Sequence, residues 1–490
     1  MYSGSGFTVS ELGDVDVVYA NGVYHLFHLV LPNHDYIAHA ISQDGFVWKR
    51  VQNALFIGNP GAWDDDMLWT MHVSRNPYKD GEWRMFYTGL SRREAGRVQR
   101  VGLARSKDLY NWTKDNSGKY PVSIPGTYYE SSMSEGRNWV SFRDPFFYSE
   151  GNENLLLANA RVKGGPLVRR GCVSLARETE EDNFEFLAPI FFPRIYDDVE
   201  VPAVFKIDNQ YYLTASIRED LKIHYWHSAE LTGNYCAHYD NLLLPQGNYA
   251  ARVEKVGAKH LVWNFFVTSR EHGTRILPPP KEIVVADDGR LILKSFEGFN
   301  DKAGGTEGMQ TVTPLRPALH NPTGTCETSG DTLDISCESG YEIFHLARTC
   351  VDFRLRCSAI MEGKGKCGFT FRSDHDANGY FVSLDMINGI AQIRSWGIKG
   401  TGEFEDAFHY DNIQENHFFP NPQRTYDFEL VAYGGYLEFS AGGSVALSLI
   451  DTTYSDNDRL GFYVESASIR IRNLEFQPLH GPATEDYGPI

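Results

Sequence analysis

Ala40-Ile41-Ser42-Gln43-Asp44-Gly45-Phe46-Val47-Trp48 and Ala104-Arg105-Ser106-Lys107-Asp108-Leu109-Tyr110-Asn111-Trp112 share one spacing, Ala-x-Ser-x-Asp-x-x-x-Trp. An aromatic, strand-like run precedes each: Tyr24-His25-Leu26-Phe27-His28 before the first and Trp83-Arg84-Met85-Phe86-Tyr87-Thr88-Gly89 before the second. Identical spacing in two places marks an internal repeat. A weaker copy pairs Asn154-Leu155-Leu156-Leu157-Ala158 with Cys172-Val173-Ser174-Leu175-Ala176. Another pairs Tyr211-Tyr212-Leu213-Thr214-Ala215 with Ile223-His224-Tyr225-Trp226, and a fifth pairs Ala250-Ala251-Arg252-Val253 with Leu261-Val262-Trp263-Asn264-Phe265.

Each copy alternates in the manner of short strands, and Asn21-Gly22 and Asp80-Gly81 are hairpin turn pairs. Few stretches keep helical periodicity over ten or more residues. The chain therefore reads as all-β. Five antiparallel units predict a five-bladed β-propeller over residues 1–298, in which radial repetition protects the sheet edges. A large sandwich with chance similarity is the competing fold. From residue 299 to 325 the composition turns to Gly, Thr, Pro and Asn, which reads as a linker. Beyond it, Gly368-Phe369-Thr370-Phe371-Arg372, Gly379-Tyr380-Phe381-Val382-Ser383-Leu384, Tyr426-Asp427-Phe428-Glu429-Leu430 and Leu460-Gly461-Phe462-Tyr463-Val464 alternate regularly. They predict a C-terminal β-sandwich over 326–490, with Asp374 and Asp376 in a solvated turn.

At 490 residues the chain exceeds one ordinary core, consistent with two domains. Its formal charge of −18 opposes nucleic acid and anionic membranes, because the long-range field repels phosphate. It suits a neutral ligand. No apolar run approaches a bilayer span, and Met1-Tyr2-Ser3-Gly4-Ser5-Gly6 lacks the basic start and apolar core of a secretory signal, so a cytoplasmic location is expected. Of seven cysteines, five (Cys326, Cys337, Cys350, Cys357, Cys367) crowd together without a Cys-x-x-Cys pair. Reduced, buried thiols are expected rather than a zinc site.

Three short acidic stretches sit beside strand-like runs: Gly13-Asp14-Val15-Asp16, Arg143-Asp144-Pro145 and Glu200-Val201-Pro202. A carboxylate is poor strand material, so acids recurring at similar places in similar units point to one gathered site. Glycoside hydrolysis needs one protonated carboxyl and one that attacks or activates water. Asp14, Asp144 and Glu200 supply such a set, and Val199 and Val201 would favour a protonated Glu200 by desolvating it. Alternation puts Asp14 and Asp16 on one strand face, so spacing does not choose between them. Asp197-Asp198 by themselves read as a solvated loop. Trp63, Trp69 and Trp263 are candidates to stack on sugar faces, and His72 to bind substrate; a hydrogen-bonded structural role suits His72 and His25 better than metal ligation. No His/Asp cluster argues for a metal, and the chemistry requires no cofactor.

These blocks, with Tyr24-His25-Leu26-Phe27, Phe142-Arg143-Asp144-Pro145-Phe146 and Arg170-Gly171-Cys172, resemble glycoside hydrolase family 32. The likeness is to a divergent branch lacking the Asn-Asp-Pro-Asn box, and the family shares its clan fold with family 43. The resemblance implies a five-bladed propeller with a β-sandwich and retaining cleavage of β-fructofuranosides. It implies Asp14 as nucleophile, Asp144 as transition-state stabiliser, Glu200 as acid/base and Arg143 as an orienting residue. Val201 departs from the usual Cys after the acid, and Trp69-Thr70-Met71-His72 replaces a Phe-Ser-Gly-Ser type element.

An exo-acting hydrolase acting on sucrose-like oligosaccharides or fructans is the leading expectation. A family 43-like arabinofuranosidase or xylosidase, a fructosyl transferase and a non-catalytic carbohydrate-binding propeller are the alternatives. The expected partner is an oligosaccharide or glycoside, with self-association through the sandwich left open.

Overall fold

In the computed structural model the described residues are 2, 11–267, 276–398, 408–419 and 423–482. Residues 11–294 form a five-bladed propeller. Its blades are antiparallel sheets running Glu11–Phe56, Met67–Lys114, Phe142–Phe191, Glu200–Leu244 and Asn248–Lys294. The first strand of each blade faces the central tunnel: Glu11–Ala20, Met67–Arg75, Phe142–Glu150, Glu200–Ile207 and Asn248–Val256.

The repeat that predicts the fold has a local cause. In blade 1, Asp44 Oδ1 accepts the Phe46 and Val47 N–H groups at 2.9 and 2.8 Å, Ser42 Oγ accepts Gly45 N–H at 2.9 Å, and Trp48 Nε1 donates to Gly45 O at 3.2 Å. Blade 2 repeats each bond with Asp108, Ser106, Leu109 and Trp112. Gly45 and Leu109 hold the same left-handed position, with φ +78° and +67°. Ser and Asp thus form a side-chain-capped turn. The Trp, tied back to that turn, packs between blades.

Glu178 on blade 3 pairs with Arg84 on blade 2 at 2.7 Å, and both side chains are fully buried. Trp263, expected near sugar, is instead wholly buried, with Tyr24 and Trp48 rings 5.5 and 5.7 Å away. It closes the propeller by joining the last blade to the first. Trp63 stacks on Tyr87 at 5.8 Å, and a Cβ at Gly89 would come within 2.4 Å of its ring. Both tryptophans are packing residues.

The stretch 299–325 carries two one-turn helices, Phe299–Lys302 and Met309–Val312, and Phe299 is buried. In the sandwich, three long strands, Thr332–Thr349, Phe353–Ser373 and Arg459–Pro478, are shared by two layers. Residues 353–360 pair with Thr425–Tyr433 in one layer, and 367–371 pair with Gly379–Asp385 in the other. The register breaks between them at Gly363, where φ is +95°. A left-handed residue there lets one strand change sheets.

The sandwich docks on blade 5. Asn248 Nδ2 donates to Ser448 O at 2.9 Å, and Gln414 Nε2 to Gln246 O at 2.7 Å. Among the described residues no helix is long and apolar enough to cross a membrane.

Candidate active site

Every inner strand has a bulge at the same height. The register slips between Leu12 and Val15, Trp69 and Met71, Arg143 and Phe146, Glu200 and Ala203, and Tyr249 and Arg252. Three residues in these bulges are left-handed: Asp144 at φ +59°, Val201 at +48° and Ala250 at +54°. A β-branched residue rarely takes that conformation, which costs roughly 1–2 kcal/mol. The fold holds the strained turns with capping bonds. Thr88 Oγ1 accepts Asp144 N–H at 3.0 Å, Asp144 Oδ2 accepts Val201 N–H at 3.1 Å, and Ser216 Oγ accepts Ala250 N–H at 2.8 Å.

The bulges turn acids from three blades into one cavity of about 340 Å³, lined by Asp14, Asp144, Glu200, Arg143, Trp69 and Tyr249 among others. Asp144 is buried, and Asp14 and Glu200 are partly exposed to the cavity. A second lobe of about 400 Å³ shares Trp69, Arg143, Glu200 and Arg218 with the first and adds Arg97, Gln99, Asn138 and Trp139.

Arg143 binds Glu200 Oε1 through Nη2 and lies 3.6 Å from Asp144 Oδ2 and 3.3 Å from Asp198 Oδ2. Tyr249 OH donates to Glu200 Oε2, and Thr70 Oγ1 to Asp14 Oδ2. Burial, followed by repulsion from Asp144, pushes the Asp14 carboxyl up to about 7; the Thr70 bond opposes the rise, and Glu200 adds to it. Burial also raises Asp144, against the pull of Arg143. Burial and Glu200 keep the Tyr249 phenol neutral, so it remains a donor.

The sequence pointed to Asp14, Asp144, Glu200, Arg143 and Trp69, and all five line the cavity. Asp16 does not. It lies beneath, accepting Val73 N–H at 2.6 Å, because the Leu12/Val15 slip separates it from Asp14. His72 also lies beneath, stacked on Phe146 at 4.2 Å with Nε2 3.1 Å from Phe147 O. Asp198 is no solvated loop residue. It is 2% exposed and, although burial opposes this, Arg143 and Arg137 hold its carboxyl at about 2. Tyr249 and Thr70 went unread as site residues. Tyr249-Ala250 matches Arg143-Asp144 and Glu200-Val201 in the repeat, but Ala251 stands where the others carry Pro, so no motif marked it. Among the described residues no three His, Cys, Asp or Glu side chains gather as a metal ligand set.

Residues 15–251 match the sequence profile of the glycosyl hydrolases family 32 N-terminal domain. The match begins one residue after Asp14, so the place of that acid rests on geometry. No curated protein sequence matches the chain. Among solved structures, a Bombyx mori family 32 β-fructofuranosidase is 16% identical and covers 96% of this chain and 92% of its own, with TM-score 0.65. Sucrose-6-phosphate hydrolase from Lactobacillus gasseri is 14% identical, covering 94% and 91%, with TM-score 0.67. Fructan 1-exohydrolase IIa from Cichorium intybus is 14% identical, covering 96% and 95%, with TM-score 0.66. At such identities the structural likeness establishes the fold. Over residues 15–251 the propeller carries the N-terminal domain of glycosyl hydrolases family 32, and the chain is a glycoside hydrolase.

Proposed function

We propose that this protein is a retaining, exo-acting hydrolase of terminal β-fructofuranosyl residues, acting on sucrose-like oligosaccharides or fructans. One observation carries the reading: carboxylates from three blades line a single cavity sized for one furanose ring, with a second lobe opening beyond Glu200. The inner lobe takes the fructosyl unit and the outer lobe the leaving sugar. Related structures include a Bombyx mori enzyme with sucrose and a Cichorium intybus enzyme with 1-kestose, which supports an oligosaccharide substrate.

In the first step an Asp14 oxygen attacks the anomeric carbon as Glu200 gives its proton to the departing glycosidic oxygen, forming a fructosyl ester. In the second, Glu200 takes a proton from water, whose oxygen displaces Asp14 and regenerates the carboxylate. Asp144, bracketed by Arg143 and Val201 N–H, accepts sugar hydroxyls and offsets the positive charge that grows on the ring. Arg143 must yield its hold on Glu200 when the leaving oxygen arrives, and Asp198 stands 3.3 Å away to receive it.

Glu200→Gln tests the reading, since it keeps size and hydrogen bonding but carries no acidic proton. Hydrolysis of sucrose and 1-kestose should fall by at least ~10²-fold in a folded protein, with product configuration retained in the wild type by NMR. Undiminished turnover in the variant, or an inverted product, rejects it.

A further inference from the structure

Directly beneath the acids, a single guanidinium gathers the tunnel strands. Arg252 is 2% exposed, and the Tyr249/Arg252 slip in blade 5 aims it inward. Its Nη1 donates to Pro202 O at 2.7 Å and its Nη2 to Pro145 O at 3.1 Å. Those carbonyls belong to the bulges that carry Glu200 and Asp144. Its Nε lies 3.9 Å from Asp16 Oδ1 on the strand that carries Asp14. Asp16 Oδ2 in turn accepts Val73 N–H from blade 2 at 2.6 Å and lies 3.4 Å from His72 Nδ1. The Phe146 ring of blade 3 is 5.3 Å from the guanidinium. All five inner strands therefore meet at Arg252 and Asp16.

The arrangement answers a backbone problem. The register slips leave Pro145 and Pro202 outside the ladder with their carbonyls turned inward, buried acceptors that are costly to orphan. A planar guanidinium presents donors in a fixed fork, so it can satisfy two carbonyls at a set separation, whereas an ammonium is a point charge without that geometry.

We propose that Arg252, anchored by Asp16, is the positioning residue of this active site: it fixes the spacing of the Asp144-Pro145 and Val201-Pro202 bulges and sets a buried cation beneath the carboxylates. The inference rests on the hydrolase reading above. The ionisable groups facing the acid set are Asp14, Asp16 and His34 from blade 1, His72 from blade 2, Arg143 and Asp144 from blade 3, Glu200, Arg218 and the preceding Asp198 from blade 4, and Tyr249 and Arg252 from blade 5. Of these cations, Arg143 is committed to Glu200 and Asp198, Arg218 lies in the cavity above, and Arg252 is the cation beneath whose charge favours ionised Asp14.

Arg252→Lys and Arg252→Met separate geometry from charge. On sucrose and 1-kestose, Arg252→Lys should lose about 10²-fold in kcat with KM within about threefold, because a displacement near 1 Å costs that much. The acid limb of its pH profile should stay in place. Arg252→Met should carry the same limb to higher pH, since Asp14 loses a cation that favours its charged form. A purely structural residue would lower Tm and leave the limb unmoved, and that result overturns the proposal, as does full kcat in Arg252→Lys. Two readouts need no turnover: the ¹³C-carboxyl titration of Asp14 in wild type and Arg252→Met, and the separation of the Pro145 and Pro202 carbonyls in a crystal structure of Arg252→Lys. They decide the matter even if Arg252→Met alone fails to fold. Wild-type inactivity on every fructofuranoside would reject the substrate reading while these two measurements still judge Arg252.

Discussion

Replacing Asp14 by Asn should stabilise the protein in alkaline solution, and only there. Burial beside Asp144 raises the Asp14 carboxyl from 3.8 to about 7. At about 1.4 kcal/mol per tenfold change in proton affinity, that rise has a ceiling of about 4 kcal/mol. The side chain is partly exposed to the cavity, so solvent screens the interaction and about 2 kcal/mol is the working figure. The sign follows from linkage: a carboxyl raised on folding contributes stability that is fully present below its unfolded value and is lost as pH climbs through the folded one. Wild type therefore weakens between about pH 4 and about pH 8, whereas Asn, which never ionises, does not. At about 2.1 cal/mol/K of unfolding entropy per residue, 2 kcal/mol amounts to about 2–3 °C, the larger value applying if the propeller melts alone. Differential scanning calorimetry across that range, reported as variant minus wild type, should show a gap that opens by this amount as pH rises. A gap that stays flat from acid to alkali, or one that closes, refutes the assignment of the raised proton affinity to Asp14. The variant should meanwhile have lost its turnover, so a gain in stability and a loss of function would come from one atom exchange.

Thr70→Val removes the hydroxyl that stabilises ionised Asp14, so the acid limb of kcat/KM should move to higher pH while the alkaline limb holds. Trp69 lines both lobes, where its ring can face a sugar; Trp69→Ala should raise KM roughly 3–10-fold, the worth of one aromatic contact. Glu178→Ala strands Arg84 between blades 2 and 3 and should cost about 3–5 kcal/mol in urea denaturation without altering the pH profile.

How far the sequence could be read depended on whether a residue's job was local or collective. The Asp44 and Asp108 turns are closed by atoms within four positions, so the same spacing recurs wherever the same turn is built, and the propeller was legible from it. Asp144 and Glu200 stood out because Pro145 and Pro202 flag the bulges that carry them. Trp263 misled for a physical reason: an aromatic in an alternating strand serves a sugar face and a blade seam equally well, and only closure of the ring by the Tyr24 and Trp48 rings decides between them. Asp198 misled in the opposite way, since the arginines that bury it, Arg137 and Arg143, lie far off in the chain. Two-residue periodicity tied Asp16 to Asp14, and the single slip between Leu12 and Val15 undoes that tie.

That slip is the key to how the site is built. A regular inner strand would send alternate side chains into the blade, and no repeat of five such strands could bring acids from blades 1, 3 and 4 to one point. One extra residue per strand, at one height, turns Asp14, Asp144 and Glu200 toward the tunnel mouth. The same slip in blades 2 and 5 delivers Thr70 and Tyr249, which donate to two of those acids. The strain at Asp144 and Val201 is then part of the design. It persists because the acids it presents also cap one another's backbone, as Asp144 does for Val201. An Asp144→Ala chain would lose a cavity carboxylate and a cap together, so its defect belongs to blade 4 as much as to blade 3.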